Sequence, residues 1–232
     1  MISLTKQFVK EMERRILTGE LEIGSKLPSL RTLADEFHVS RSVVKGGIVE
    51  LCNNGYLTTL PRRYVCVSDW RKTGNFAMLK GMMENELCDV HFFEDLLEGR
   101  MTIEKAIAKK AAIARTEQDI EEIKNIIAKE KMCQMSEEQA EADKEFHHAL
   151  AVASHNAVYT VILNSFHTLE DKWIQEFYEK EIDRKFVIGM HEKLYEAIKN
   201  GNTDKAEKYM ETLLTHGENE LRKYGGGYYA EI

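Results

Sequence analysis

Residues 27–57, LPSLRTLADEFHVSRSVVKGGIVELCNNGYL, constrain the fold more than any other stretch, because they spell two short helices around a tight turn followed by a change of period. Pro28 and Ser29 suit the start of a helix, and Leu30, Leu33, Ala34 and Phe37 recur at helical spacing, so a first helix buries one face. His38-Val39 makes a short turn. Ser40 caps a second helix, with Val43, Val44, Ile48, Val49 and Leu51 as its apolar positions, and Asn53-Asn54-Gly55 ends it. Its first turn carries Ser40, Arg41, Ser42 and Lys45, all polar, and in a helix-turn-helix those positions face the major groove of DNA. Residues 56–59 and 64–67 are then β-rich, which predicts a two-stranded wing closed by Leu60-Pro61-Arg62-Arg63.

Upstream, residues 3–17 read as a helix with Leu4, Phe8, Met12 and Ile16 inward, and Gly19 and Gly24 bracket the loop before Leu27. Downstream, the pattern simplifies. Pro28 and Pro61 are the only prolines, so nothing after Pro61 except a few glycines interrupts a helix. Helices are expected at about 75–86, 90–114, 117–132, 136–154, 156–179, 182–200 and 203–222, with Thr116-Glu117 and Asn202-Thr203-Asp204 as start signals. The expected class is therefore mainly α: a winged helix-turn-helix with a small β-wing over residues 1–68, a linker at 69–75, an all-α bundle over 76–224 and a tail at 225–232.

A net charge of −7 looks wrong for a DNA binder until it is divided along the chain. Residues 1–72 hold 12 Lys and Arg against 8 Asp and Glu, whereas the remainder holds 20 against 31. Positive charge thus collects where the helix-turn-helix sits, and the acidic remainder keeps other surfaces off DNA. No stretch approaches the ~18 consecutive apolar residues of a membrane span, and the N-terminal helix lacks a signal-peptide core, so a cytoplasmic protein without membrane partners is expected. Cys52, Cys66, Cys88 and Cys133 have no CxxC spacing, which argues against a zinc ribbon or a disulfide framework.

The N-terminal residues resemble the winged helix-turn-helix of the GntR family of bacterial transcription regulators. The match runs through Gly19, Gly24, Leu27-Pro28-Ser29, Arg31, Leu33-Ala34, Val39-Ser40-Arg41, Leu51, Gly55 and Leu57 in order. The resemblance implies that Arg31, Ser40, Arg41, Ser42 and Lys45 contact DNA, arginines reading guanine and hydroxyls holding phosphate. The plainer alternative is that Ser40 only caps its helix and Arg31 only pairs with Asp35 or Glu36. The family usually carries a glycine at the wing tip; here Arg62 and Arg63 stand there and are expected to reach the minor groove or its phosphates.

The remainder is similar to the FCD effector domain, on Arg100 and Glu104, the Ala-rich run to Ala114, Asp143 with Phe146-His147, Ala153-Ser154 with Asn156, and His191 with Leu194, Ala197-Ile198 and Gly201. GntR proteins with that domain form the FadR subfamily, which implies a homodimer on a palindromic double-stranded DNA operator and a small-molecule effector. Asp143 and His147, at i and i+4, leave one face of one helix and can chelate a cation or form a surface ion pair. The resemblance adds His191 and His216, a donor set suited to Zn²⁺, Ni²⁺ or Mn²⁺. The last ligand of the family falls at Leu213, however, and His216 lies three residues on, about 60° around the helix and ~4.5 Å along it. Arg100 is a candidate for an anionic group of the effector or, at i+4, an ion-pair partner of Glu104.

Two effectors compete. Likeness to the fatty-acid-responsive type of the subfamily implies an acyl-CoA, whereas the Asp-His set and the acidic domain favour a small metal-bound carboxylate, which is the preferred expectation. The chain is read as no enzyme. A metal-dependent hydrolase-like helical domain fused to a DNA-binding domain is the alternative, and it lacks an evident general base or nucleophile around the four donors.

Overall fold

The computed structural model of the protein describes residues 3–60, 64–84, 90–179 and 184–224, and the chain divides into two compact units at Cys88/Asp89. In the first unit α1 (Leu4–Leu17), α2 (Leu30–Glu36) and α3 (Arg41–Asn53) precede the antiparallel pair β1 (Leu57–Leu60) and β2 (Tyr64–Val67), paired from Leu57 opposite Val67 to Leu60 opposite Tyr64. Each helix starts on a serine. Ser3, Ser29 and Ser40 accept from the backbone N–H of Lys6, Thr32 and Val43 at 3.2, 3.1 and 3.4 Å, satisfying donors that the first turn leaves open. Phe8, Met12, Leu33, Val44, Leu51 and Tyr56 fill the core between them.

The close crossing of α1 and α3 depends on Gly47, where an added Cβ would lie 2.8 Å from Phe8 Cε1 and overlap the ring. Gly55, at φ +87°, ends α3 in the left-handed region that glycine adopts without strain and turns the chain into β1. Three residues assigned to inner faces point outward: Leu4, Leu30 and Val49 are exposed. Leu4 and Leu30 each open their helix, where the first turn overhangs the core. Val49 falls, at 100° per residue, between Ser42 and Lys45 on the outer arc of α3.

The boundary also falls later than the expected 68/69 division. α4 (Trp70–Thr73) and α5 (Phe76–Glu84) belong to the first unit. The Tyr56 hydroxyl donates to Met78 O at 3.1 Å, Thr73 Oγ1 to Gly55 O at 2.8 Å and Asn75 Nδ2 to Asn53 O at 3.1 Å. Met78 is buried in the core of this unit. These ties join residues about twenty positions apart, which helical periodicity cannot register.

The second unit is all helix: α6 (Val90–Ala114), α7 (Glu117–Met132), α8 (Ser136–Ala153), α9 (Ala157–Glu179), α10 (Arg184–Lys199) and α11 (Thr203–Tyr224). α6 packs against α8, α9, α10 and α11, and its small Ala108, Ala111 and Ala112 admit those neighbours closely. Phe146, Leu150, Leu163, Leu194, Ile198 and Met210 complete the core. Both expected start signals are used. Thr116 and Asp119 form a reciprocal capping box, and Asn202 Oδ1 accepts from Lys205 N at 3.0 Å. Cys52, Cys66 and Cys133 are free thiols; Cys88 lies outside the described residues. Among the described residues no helix is long and apolar enough to cross a membrane.

Candidate functional site

On the first unit, Arg31, Ser40, Arg41, Ser42 and Lys45 are all exposed. The exposed arc of α3 runs through Arg41, Ser42, Lys45, Gly46 and Val49, opposite the buried Val44, Gly47, Ile48 and Leu51. Ser40 caps and also shares a 2.8 Å hydrogen bond with the Ser42 hydroxyl, so capping holds both hydroxyls at the helix tip. Arg31 Nε lies 3.9 Å from Asp35 Oδ2 with both side chains about three-quarters exposed, a pair too weak in water to withhold the guanidinium from a phosphate or a base. Arg62 and Arg63 lie outside the described residues.

In the second unit a buried donor set forms in the bundle. α8 presents Asp143 and His147 one turn apart, and α10 brings His191 against them. Asp143 Oδ1 lies 3.9 Å from His147 Nε2 and 3.6 Å from His191 Nε2, and the three donor atoms fall within 4.8 Å of one another. A cation ~2.1 Å from each donor needs neighbouring donors roughly 3 to 3.5 Å apart, so the two carboxylate-to-imidazole distances need to contract only by a few tenths of an ångström. His191 Nε2 is buried without a hydrogen-bond partner among the described residues. A buried ring nitrogen left open beside a carboxylate oxygen is what an absent cation would leave behind, so the residues fit a divalent metal.

What aims the two imidazoles is a pair of buried glutamates from other helices. Glu104 of α6 takes His147 Nδ1, and Glu130 of α7 takes His191 Nδ1 at 2.8 Å. Each glutamate thereby fixes its ring's tautomer and turns Nε2 toward Asp143. Phe146 stacks on His191, ring centroids 3.8 Å apart and 18° from parallel, which holds the imidazole plane. Burial opposes ionisation of Glu104, but the charges of His147 and Arg100 outweigh it and hold its carboxyl well below the usual carboxylate range. For His147, burial works against the protonated ring, yet the charge and hydrogen bond of Glu104 raise its pKa.

Arg100 extends the same cluster, with Nε donating to Glu104 Oε1 at 2.6 Å and a side chain 14% exposed. The i+4 ion pair with Glu104 is therefore formed, and through Glu104 it touches the metal-competent set. α9 contributes two groups that sequence reasoning passed over. The Tyr178 hydroxyl donates to Asp143 Oδ1 at 2.9 Å; burial, then the Asp143 charge, pushes its pKa well above the ordinary phenol value. His167 has a buried Nε2 without a hydrogen-bond partner among the described residues, and burial pushes its pKa down to about 4.

The structure does not bring His216 to this set. The metal-competent group among the described residues is Asp143, His147 and His191. The His216 ring packs instead 4.2 Å from the Phe186 ring, its Nε2 buried without a hydrogen-bond partner among the described residues, and Leu213 points into the core. The one-turn offset leaves three protein donors. Of the remaining histidines, His148 is exposed and His155 Nε2 meets Asp119 Oδ2 at 2.8 Å. In the sequence Glu104 is marked only as the i+4 partner of Arg100, and nothing in the local spacing of Glu130 marks it, so neither is legible there as the carboxylate that holds a histidine Nδ1.

Comparison with known proteins agrees with both halves. Residues 4–67 match the model for bacterial regulatory proteins of the gntR family, and residues 95–216 match the FCD domain. The chain is 30% identical over 215 residues to the HTH-type transcriptional regulator LutR of Bacillus subtilis (strain 168), covering 90% of this chain and 97% of that protein. It is 28% identical over 201 residues to the Glc operon transcriptional activator of Escherichia coli (strain K12), 82% of this chain and 77% of that one. With the putative L-lactate dehydrogenase operon regulatory protein of the same organism it shares 27% over 243 residues, 97% of this chain and 90% of that one. Among solved structures, that of Lar, which controls the expression of the Listeria monocytogenes agr system, superposes with a TM-score of 0.63 at 18% identity, covering 96% of this chain and 98% of that one. E. coli McbR/YncC gives 0.55 at 17%, covering 96% and 99%. A gntR-type DNA-binding domain followed by an FCD domain, in a chain aligned over nine-tenths of its length with LutR, makes this protein a member of the GntR family of transcription regulators and not an enzyme.

Proposed function

We propose that this GntR-family regulator is a homodimer of the FadR subfamily that reads a short palindromic operator and is switched by a small carboxylate bound at a divalent metal in its helical unit. The observation that carries the effector half is the buried Asp143, His147 and His191 set with Arg100 beside it. Two imidazoles and one carboxylate suit Zn²⁺, Ni²⁺ or Mn²⁺, and such a cation supplies open positions for carboxylate oxygen. Asp143, His147 and His191 hold the metal, Glu104 and Glu130 orient the rings, and Arg100 balances anionic charge. Two copies related by a two-fold axis present two recognition helices to two half-sites, with Arg31, Ser40, Arg41, Ser42 and Lys45 on DNA and Arg62 and Arg63 at the wing.

A small carboxylate suits a site inside a domain of net negative charge better than a polyanionic acyl-CoA does. One relative is named for an L-lactate dehydrogenase operon, which makes lactate the first carboxylate to try. The test is elemental analysis of the purified protein, then thermal shift and operator release with lactate, glycolate, dicarboxylates and an acyl-CoA. About one metal per chain, and stabilisation by a carboxylate that chelation abolishes, support the reading. Tight acyl-CoA binding that survives chelation and releases the operator refutes it in favour of the fatty-acid type.

A further inference from the structure

The three metal-competent donors differ in what holds them. His147 and His191 are each held at Nδ1 by a buried glutamate, Glu104 of α6 and Glu130 of α7. Asp143 gets no such support from the imidazoles it faces. Its Oδ1 lies 3.9 Å from His147 Nε2 and 3.6 Å from His191 Nε2, both too long for a hydrogen bond. Nor could those nitrogens supply one in the metal-binding form. A ring whose Nδ1–H is given to a glutamate coordinates through the Nε2 lone pair, so the carboxylate oxygen then faces two lone pairs that repel it. An aspartate left unheld in that setting turns to another rotamer, and the donor set opens.

The missing hydrogen bond comes from α9, which packs along α8. Tyr178, in the last turn of α9, donates its hydroxyl to Asp143 Oδ1 at 2.9 Å. The bond falls on the same oxygen that faces both imidazoles, and a carboxylate oxygen keeps a second lone pair for a cation. We propose that Tyr178 is a positioning residue of the metal site, its hydroxyl fixing Asp143 with Oδ1 toward His147 and His191 so that the three donors stand assembled before a divalent cation arrives. The inference rests on the metal half of the proposed function. Each donor then has a support from a different helix: Glu104 from α6 for His147, Glu130 from α7 for His191 and Tyr178 from α9 for Asp143.

Titration of the metal-stripped, full-length protein with Zn²⁺ against a chelating dye tests the inference, together with melts of the metal-free protein. Tyr178→Phe keeps the ring and removes only the hydroxyl. It is expected to raise the Zn²⁺ dissociation constant by roughly 10- to 100-fold, the loss usual when the partner of a metal ligand is removed, and to shift the visible absorption of the Co²⁺-loaded protein as Asp143 leaves its place. Tyr178→Leu, which removes the ring as well, should weaken Zn²⁺ to the same degree while melting lower without metal, because the hydroxyl carries the metal effect and the ring the packing. Wild-type Zn²⁺ affinity in Tyr178→Phe, with any loss confined to Tyr178→Leu, overturns the inference and leaves the metal site standing. Tighter binding in Tyr178→Phe also overturns it, since the hydroxyl would then compete with the cation for Oδ1. So does a phenolate charge-transfer band in the Cu²⁺-loaded wild type that Tyr178→Phe abolishes, which would make Tyr178 a ligand. If the wild type itself binds no Zn²⁺, the metal reading falls and the inference with it.

Discussion

Glu130→Gln separates the orienting role of a buried carboxylate from its role in packing. In the protein as it stands, Glu130 Oε2 lies 2.8 Å from His191 Nδ1, both side chains are fully buried, and Glu130 Oε1 has no partner among the described residues. Glutamine keeps the length and one acceptor oxygen but removes the charge that makes the imidazole a stronger donor to a cation. Loss of such an outer carboxylate lowers metal affinity by roughly 10- to 100-fold. At a metal concentration ~100 times the wild-type dissociation constant, binding adds ~2.7 kcal/mol of stability; a 10- to 100-fold weaker site adds only ~1.4 to ~0.4 kcal/mol. For a chain of this size each kcal/mol moves Tm by about 2 to 4 °C, so the metal-dependent rise should shrink from about 5–11 °C to about 1–6 °C. The metal-free variant should melt close to the wild type, because it exchanges a buried charge for a neutral group of the same shape. Competition with a chelating dye gives the dissociation constant, and differential scanning calorimetry with and without metal gives the two melting points. An unchanged metal affinity would refute the orienting role. A metal-free variant that melts far below the wild type would show that Glu130 acts on the fold instead.

Three further expectations follow from the same structure. Arg41→Ala, at the exposed first turn of α3, should weaken specific operator binding by about 1 to 3 kcal/mol in gel-shift titrations, whereas Lys45→Ala should weaken specific and non-specific DNA alike and lower the salt slope by about one. Gly47→Ala sets a methyl against the Phe8 ring and should cost roughly 1 to 3 kcal/mol in urea unfolding; a neutral result would mean that α1 and α3 separate freely. The carboxyl of Asp119 is held below its ordinary value: burial opposes ionisation, but the Thr116 backbone and hydroxyl and His155 overcome it. Its contribution is therefore complete above the unfolded-state pKa and disappears as pH falls through the lower folded-state value. Asp119→Asn should lose about 1 kcal/mol at pH 7 and progressively less as pH falls below the unfolded-state pKa, as read by thermal melts at falling pH.

What the sequence disclosed divides by distance along the chain. The helix-turn-helix was legible because its signals are local: Ser29 and Ser40 cap within three residues, and the outward Arg41, Ser42 and Lys45 follow from the period of one helix. The i+4 spacing likewise exposed the Arg100–Glu104 pair and the common face of Asp143 and His147. By contrast, the partners that aim the imidazoles are 43 and 61 residues away, and only the packing of α6, α8, α7 and α10 brings them together. The division into compact units at Cys88/Asp89 was illegible for the same reason, since α5 is tied to the first unit through Tyr56, 22 residues before Met78.

His216 and His167 show how resemblance and packing part company. A histidine one turn past the expected ligand position was the natural candidate because it shares a helix with that position, but Leu213 turns into the core and the His216 ring turns onto Phe186. His167 had no motif to recommend it, and its Nε2 is buried without a hydrogen-bond partner among the described residues. The turn between α8 and α9, with His155 at φ +48°, folds α9 back along α8, and the Tyr178 hydroxyl of α9 reaches Asp143 Oδ1. With Leu213 in the expected ligand position, the described residues present three donors rather than four, and a metal held by them would keep an additional position for the effector or water.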